Sequence, residues 1–550
     1  MADSHPEGAP LEQREEQLES ESETEEQPQD GAEGTQDPAT STASKQKKKK
    51  KRSKRSKIVS ALTGNKSSEP AESSSSQPAA KLSNDHIKQL LEMNPTLKGE
   101  LAGMPTEKAA EALRKMDLQE LLSGMSLNGK NQKDMASYKF WATQPVPRFD
   151  ERPEAEKPDG PIKEVIPEMV PKTAAPLLEG YEWVELDLSN DTEVKEVYNL
   201  LSLHYVEDDH AMFRFNYSAV FLDWALKSPD WKKSWHIGVR AKGPSRLLVA
   251  TIFGIPIKLR IRENVLDVVE INYMCVHKKL RSRRLAPVLI KEVTRRCHLE
   301  GVYQAIYTGG VVLPTPVGSC RYFHRSLDWL KLYEVGFSPL PPNSTAAKMI
   351  ARNQLPPNPA TPGWRAMQEK DIEPVLDLLT LYLKRFELVH EFNRAEIDHW
   401  FLNKQKPEDQ VVWSFVVEKD GKITDFASFY CLESSVIGPM SQKHEKIRAA
   451  YLYYYATDQA FNPKEKGLKS RLQQIGQDLL IEAKKAKFDV FNALTLHDNP
   501  MFLQDLKFGA GDGHLHHYLY NWRTKPINGG VNEKNMPDES KRGGIGIVLL

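Results

Sequence analysis

The chain has 550 residues, 39% of them apolar, enough to bury one large core or two ordinary ones and too much for a small stapled module. Lys plus Arg and Asp plus Glu stand at 75 each, which excludes a general attraction to nucleic acid or membrane. The four cysteines, Cys275, Cys297, Cys320 and Cys431, form no C-x-x-C pair and suit a reducing compartment, and no window reaches the roughly eighteen apolar residues of a membrane span.

Residues 1–44 carry 13 acidic side chains against one arginine, with few large apolar groups. Such a stretch cannot offset its ordering entropy and is expected to stay disordered. Ten Lys or Arg fill the thirteen positions 45–57, followed by a Ser-rich run to about Ala80. The basic block suits ribosomal RNA or another polyanion, a nuclear address, or simple contact with the acidic block before it. Between Leu82 and Leu127 the apolar spacing predicts two or three short helices, and the main fold is expected to start near Tyr138. The Pro-rich stretch Gln144 to Pro176 should lie extended on the surface.

Beyond it an order of elements is written twice. A strand over Trp183 to Leu188 precedes Asp191 as a helix cap, then a helix with Val194, Val197, Tyr198 and Leu201 on one face. An apolar segment at Phe221 to Leu226 and strands at Trp235 to Val239 and Leu247 to Phe253 follow. The second copy runs Trp364 to Met367, Asp371, a helix with Ile372, Val375, Leu376, Leu379 and Tyr382, then Ile397 to Leu402, Trp413 to Val417 and Asp425 to Tyr430. Matching pieces stand 176 to 181 positions apart, so the expected architecture is α/β: two pseudo-symmetric halves, 138–341 and 363–550, each a mixed twisted sheet flanked by helices.

Val265 to Val276 reads as a buried strand, HKKLRSRR at His277 to Arg284 follows, and Ala286, Pro287, Val288, Leu289, Val293 and Cys297 mark a helix with proline in its first turn. A strand, a basic loop and a helix entrance in that order make an anion site from exposed N–H groups, the dipole and Lys279, Arg281, Arg283 and Arg284. An isolated KKLRSRR would be a solvated turn or an address tag. Its place between an apolar strand and a helix inside a domain favours a ligand.

Arg281-x-x-Arg284-x-Ala286 is similar to the R-x-x-G-x-A loop by which acyl-CoA N-acyltransferases hold the coenzyme A pyrophosphate, without the glycine. Around it, EINYMCVHKKLRSRRLAPVLIKEVTRR (270–296) resembles a signature of the eukaryotic protein N-myristoyltransferases. So do KFGAGDGHLHHYLYNW (507–522), YKFWATQPVP (138–147) and YVEDDHAMFRFNY (205–217), and the resemblance spans roughly Tyr138 to Leu550.

The resemblance implies transfer of myristate from myristoyl-CoA, a co-substrate, to the α-amine of an N-terminal glycine, with no metal. It implies backbone N–H groups of Tyr273 and Met274 as donors to the thioester oxygen; Tyr-Met stands where Phe-Leu is usual. The apolar ending GGIGIVLL should be buried, and the resemblance makes the Leu550 carboxylate the general base, its proton affinity raised by burial. Implied coenzyme A contacts are Tyr138, Lys139, Phe140, Trp141, Cys275, Val276, Lys279, Arg281, Ser282, Arg283, Arg284, Leu285 and Ala286. Implied peptide contacts are Asp208, Phe213, Phe215, Tyr217, Tyr322, His324, Ser428, Tyr430, Tyr454, Asp512, Gly513 and Leu515, with His210 where a third aspartate is common. That exchange predicts a weaker or pH-dependent preference for lysine in the substrate. On their own Asp208, Asp209 and His210 also suggest a metal site, but no further ligands match.

Expected partners are myristoyl-CoA, N-terminal glycine peptides or nascent proteins, and a ribosome through the basic tail, for a cytosolic monomer. The chain begins Met-Ala-Asp, so it is not expected to be a substrate itself. Two alternatives stay open: the same fold with another acyl length or lysine specificity, and a non-catalytic polyanion-binding protein.

Overall fold

A computed structural model describes residues 138–148, 158–208, 212–437, 442–461 and 467–550. The acidic and basic tail, the helices expected at 82–127, and His210 lie outside the described residues.

In chain order the first half holds β1 (Tyr181–Glu185), α1 (Asp191–His204), β2 (Phe213–Asn216), α2 (Ala219–Leu226), β3 (His236–Ala241), β4 (Leu248–Ile261), β5 (Asn264–Val276), α3 (Leu285–Leu299), β6 (Ala305–Gly309) and β7 (Gly318–Ser326). Two short helices, α4 (Trp329–Glu334) and α5 (Ala346–Arg352), form the connection. The second half holds β8 (Trp364–Ala366), α6 (Ile372–Leu383), β9 (Leu388–His390), α7 (Arg394–Phe401), β10 (Val412–Lys419), β11 (Lys422–Val436), β12 (Lys446–Thr457), α8 (Leu468–Lys485), β13 (Val490–Leu494) and β14 (Gly509–Tyr520). The doubled order therefore runs past the five pieces legible in the sequence to the end of each half.

Local chemistry moves some boundaries. β1 stops at Glu185, because the Asp187 carboxylate accepts the Ser189 N–H at 2.9 Å and turns the chain toward α1. The cap of α1 is Asn190, whose side chain accepts the Thr192 N–H at 3.0 Å; Asp191, expected in that role, is the first helical residue, where its charge favours the dipole. The connection between the two halves carries α5, with Thr345 as its cap.

One sheet runs through both halves in the order β1-β3-β4-β5-β6-β14-β7-β13-β12-β11-β10-β8. The pairs β5/β6 and β12/β13 are parallel and the other pairs antiparallel. At the centre the halves exchange their last strands: β14 lies between β6 and β7, and β7 carries on to β13. A large core accordingly contains residues of both halves, such as Phe253, Tyr273, Leu379, Phe429 and Ile545. A smaller one under α3 gathers Trp235, Ile252, Val269, Leu289 and Val293.

Candidate active site

β5 and β6 share a ladder only from Val269–Ile271 to Ala305–Tyr307, after which they part. Just past that point β5 bulges. Cys275 pairs with Thr251 and Asn272 with Phe253, so Tyr273 and Met274 together face Ile252 alone. Tyr273 holds φ at +48°, a strained conformation for a residue with a side chain. A bulge takes backbone N–H groups out of the ladder, and here it does so where the sheet opens. The Tyr273 ring packs against Tyr217 at 5.1 Å and Tyr205 at 6.2 Å, while Met274 is 39% exposed beside the opening. Thr251 Oγ1 donates to the Tyr273 carbonyl at 3.1 Å and fixes the turn from beneath.

The chain leaves β5 through a 3-10 turn, Lys278–Arg283, and enters α3 through Arg284, left-handed at φ +57°. Arg284 thus occupies the position that holds glycine in the R-x-x-G-x-A pattern, and it takes up the backbone shape for which glycine is suited. No side chain caps α3, so its first N–H groups stay available beside the exposed Arg283 and Arg284. Lys278 is tied to Glu207 at 2.6 Å, and Arg281 reaches back to the Val276 and His204 carbonyls, where it braces the loop. Lys279 and Ser282 lie within the 3-10 turn, and Leu285 and Ala286 are the first two residues of α3. Of the residues expected to meet coenzyme A, Cys275 turns its side chain inward, with Sγ 3.9 Å from the Leu200 carbonyl; burial pushes that thiol up to about 12. Val276 continues the ladder opposite Ala250. Tyr138, Lys139, Phe140 and Trp141 come from a segment in which Trp141 stacks on Tyr307 of β6 at 5.7 Å and the Tyr138 hydroxyl donates to the Val312 carbonyl at 3.0 Å. That segment stands on the β6 side of the opening.

The ending GGIGIVLL is buried from Gly543 to Leu549, with Leu550 half-buried. Backbone bonds hold it on both sides. Gly546 N–H donates to Leu388 O at 2.8 Å, Leu388 N–H to Gly544 O at 3.0 Å, and His497 N–H to Ile545 O at 2.9 Å. The His497 imidazole bonds the Gly546 carbonyl at 3.0 Å, and Val548 N–H donates to the Tyr454 hydroxyl at 2.9 Å. A Cβ on Gly546 would lie 2.6 Å from Val389 Cγ1 and 2.7 Å from Phe386 Cβ, so the arm needs glycine there. Upstream, Arg542 faces Asp498 at 3.5 Å, and Asp498 also takes Arg385 at 2.6 Å and the Tyr382 hydroxyl at 2.5 Å. Since β9 pairs with β4, this arm of the second half is carried to the strand beside β5.

Aromatic residues from both halves form the adjoining wall. Phe213 and Phe215 lie on β2, which extends β11, with Tyr217 just after. Tyr322 and His324 come from β7, Tyr430 from β11, and Tyr430 stacks on Tyr451 at 5.4 Å. His324 Nδ1 meets Asn492 Oδ1 at 2.7 Å, and burial pushes this histidine below its ordinary range. Asp208 points back on its own loop, accepting from Met212 and Phe213 N–H at 2.7 and 2.6 Å, so its carboxylate shapes that loop. Asp512 and Gly513 are exposed in a bulge of β14 next to Arg321, and Leu515 follows on that strand. Ser428 and Tyr454 sit apart, deep at the bulge of β12.

Sequence reasoning missed Glu270, Asn272, His390, Glu396 and Asn492. Glu270 and Asn272 are polar groups two apart in an otherwise apolar strand, on one face just before the bulge, and that alternation was the available signal. Asn272 Nδ2 donates to Glu270 Oε1 at 2.6 Å, and His390 bonds Glu396 at 2.9 Å, all four being buried.

Residues 161–320 match the N-terminal domain, and residues 334–548 the C-terminal domain, of the family described as myristoyl-CoA:protein N-myristoyltransferase. A glycylpeptide N-tetradecanoyltransferase of Aspergillus fumigatus is 61% identical over 88% of this chain and 98% of its own length. That of Ajellomyces capsulatus is 60% identical over 88% and 92%. A crystal structure of Saccharomyces cerevisiae N-myristoyltransferase with bound myristoyl-CoA is 48% identical, with a TM-score of 0.72 over 75% of this chain and 99% of that one.

Proposed function

Because the chain belongs to the myristoyl-CoA:protein N-myristoyltransferase family and transfers a myristoyl group from myristoyl-CoA to N-terminal glycine, we propose a division of labour among its residues. Arg283, Arg284 and the first N–H groups of α3 grip the coenzyme A pyrophosphate, and Tyr138 to Trp141 cover the ligand from the β6 side. The thioester carbonyl sits at the β5 bulge with its oxygen toward the Tyr273 and Met274 N–H groups. Phe213, Phe215, Tyr217, Tyr322, His324, Tyr430 and Leu515 line the groove for the peptide, and Asp208 and Asp512 attract its basic residue.

The Leu550 carboxylate takes one proton from the glycine ammonium. The neutral amine then attacks the thioester carbon, and negative charge gathers on the oxygen at the bulge. The C–S bond breaks, the coenzyme A thiolate departs with the remaining surplus proton of the nitrogen, and the amide is left. Buried ordering of the arm supports this role for Leu550, since it fixes a terminus beside β4 that would otherwise fray. We further place the enzyme in the cytosol as a monomer, with 138–341 serving acyl-CoA, 363–550 serving peptide, and the 45–57 block meeting a polyanion such as ribosomal RNA.

The observation that carries the mechanism is the bulge at Tyr273–Met274 where β5 and β6 part. Adding one glycine after Leu550 should lower kcat about 100-fold or more, the worth of a general base, with acyl-CoA Kd moved less than about twofold. Unchanged kcat removes Leu550 from the chemistry. Labelled myristoyl-CoA with a Gly-x-x-x-Ser peptide, run beside acetyl-CoA, palmitoyl-CoA and a lysine peptide, tests the acyl and amine preference.

A further inference from the structure

We propose that Tyr454 is the positioning residue of the terminal base: its hydroxyl grips Val548 and so holds the Leu550 carboxylate where the glycine ammonium arrives. This rests on the reading of Leu550 as the base. The ties of the arm at Gly544, Ile545 and Gly546 lie well back from its end, whereas the Val548 N–H, two residues from the terminus, donates to the Tyr454 hydroxyl at 2.9 Å. The same hydroxyl stands 3.5 Å from the Val548 carbonyl, so one group meets both backbone polar atoms of that residue. Without it, the reacting carboxylate would swing on a lever reaching back to Gly546.

Tyr454 is built as a fixed post. It belongs to a bulge of β12, where Tyr453 and Tyr454 together face Ser428. Ser428 Oγ accepts the Tyr454 N–H at 3.2 Å and donates to the Tyr454 carbonyl at 2.8 Å, and both residues are fully buried. Around the ring stand Phe392 at 5.0 Å, edge-on, His497 at 5.5 Å and Phe401 at 5.9 Å. The serine clamp fixes the backbone from which the ring starts and close packing fixes the ring, which leaves the hydroxyl little room to move. His497 itself bonds the Gly546 carbonyl at 3.0 Å, so one cluster takes hold of the arm at two points. Burial pushes the Tyr454 hydroxyl above its ordinary range, and it therefore stays protonated. Val548 is buried as well, and loss of the hydroxyl would deprive its N–H of this partner. The resemblance implies Ser428 and Tyr454 as peptide contacts. A wall of the peptide groove would act on substrate binding, whereas a post for the arm acts on the chemical step.

Kinetics separates the two. In Y454F the ring stays and the hydroxyl goes: kcat should fall about tenfold or more, with peptide KM and acyl-CoA Kd moved less than about twofold, because a misplaced base costs the chemical step. S428A frees the Tyr454 backbone but keeps the hydroxyl, and should lower kcat about threefold with the same two constants unmoved. Adding Y454F to the chain extended by one glycine should cost nothing more, since that terminus is already displaced. Should Y454F fail to fold, S428A decides by the same criteria, alone and in the extended chain. Unchanged kcat in the deciding variant overturns the proposal, as does a loss of kcat/KM carried by peptide KM, or a further loss in the extended chain. Full activity of the extended chain alone would instead overturn the role of Leu550.

Discussion

Two bulges of the sheet, one in each half, are built alike and finished differently. On β5, Tyr273 and Met274 face Ile252; on β12, Tyr453 and Tyr454 face Ser428. Ser428 Oγ takes the Tyr454 N–H at 3.2 Å and donates to the Tyr454 carbonyl at 2.8 Å, and the Tyr454 hydroxyl holds Val548 of the arm. Ile252 offers no side-chain polar atom to the first bulge, where the Tyr273 backbone meets the Tyr205 hydroxyl instead. Only Tyr273 of the four is in the left-handed region. The helix entrances differ too: Arg283 and Arg284 stand exposed before α3, whereas Lys469 at the start of α8 is spent on Asp505 at 3.0 Å and Glu539 at 2.6 Å. The twin seat thus anchors the chain's own terminus, and the first seat is the one proposed above for acyl-CoA.

Copying the finish of the second bulge onto the first is expected to do the most damage. I252S should place a hydroxyl against the Met274 N–H and lower kcat about 100-fold, the worth of one oxyanion donor, while its lost apolar burial reduces stability by about 2–4 kcal/mol. Steady-state kinetics with urea melts checks both, and an undiminished kcat would mean that the donors are not at this bulge. G546A, a lesion wholly in the second half, should lower kcat about 30-fold through displacement of the arm and cost about 1–3 kcal/mol for overpacking, with acyl-CoA Kd nearly unmoved. Titration calorimetry showing weaker acyl-CoA binding would contradict that separation. At the helix entrances, R283A should raise acyl-CoA Kd about tenfold, as loss of one charge-assisted bond does, and K469A should leave it within about twofold; equal effects would erase the difference between the seats.

A last expectation concerns pH. Burial holds His204 down to about 3, and His236, His497 and His517 down to about 4, against an ordinary 6.5. The folded chain keeps them neutral while the unfolded chain binds protons, so stability falls as pH drops from about 6.5 to about 3, the folded value of His204, and levels off below. Urea midpoints over this window should show that slope, and H497N should make it shallower. An unaltered slope would mean that His497 is not the buried neutral group anchoring Gly546.

Much of this was legible as periodicity. Val194, Val197 and Leu201 mark the buried face of α1, and Ile372, Val375 and Leu379 that of α6, because both helices pack one stripe on the sheet. The basic loop was legible because charge between an apolar strand and a helix start has few structural uses. The crossing of β7 and β14 was not, since pairing between Ala510 and Phe323 or His516 and Gly309 depends on residues far apart in the chain. Neither was Tyr273 as a strained point: a bulge is set by register with Ile252, and no single residue announces it. Asn190 displaced Asp191 as cap because the two residue types compete for one role one position apart.

The crossed strands have a consequence for how the molecule is made. When residues up to Ser326 have been synthesised, β6 and β7 exist, but the strand that separates them begins at Gly509. The early half must therefore wait with one edge of β6 and both edges of β7 unpaired, a state prone to wrong pairing, until almost the whole chain has emerged. Long-range closure of this kind is slow, and a chain cut short before β14 would leave the gap beside β6 unfilled. Acyl transfer is in this way withheld from incomplete chains by the weave of the sheet itself.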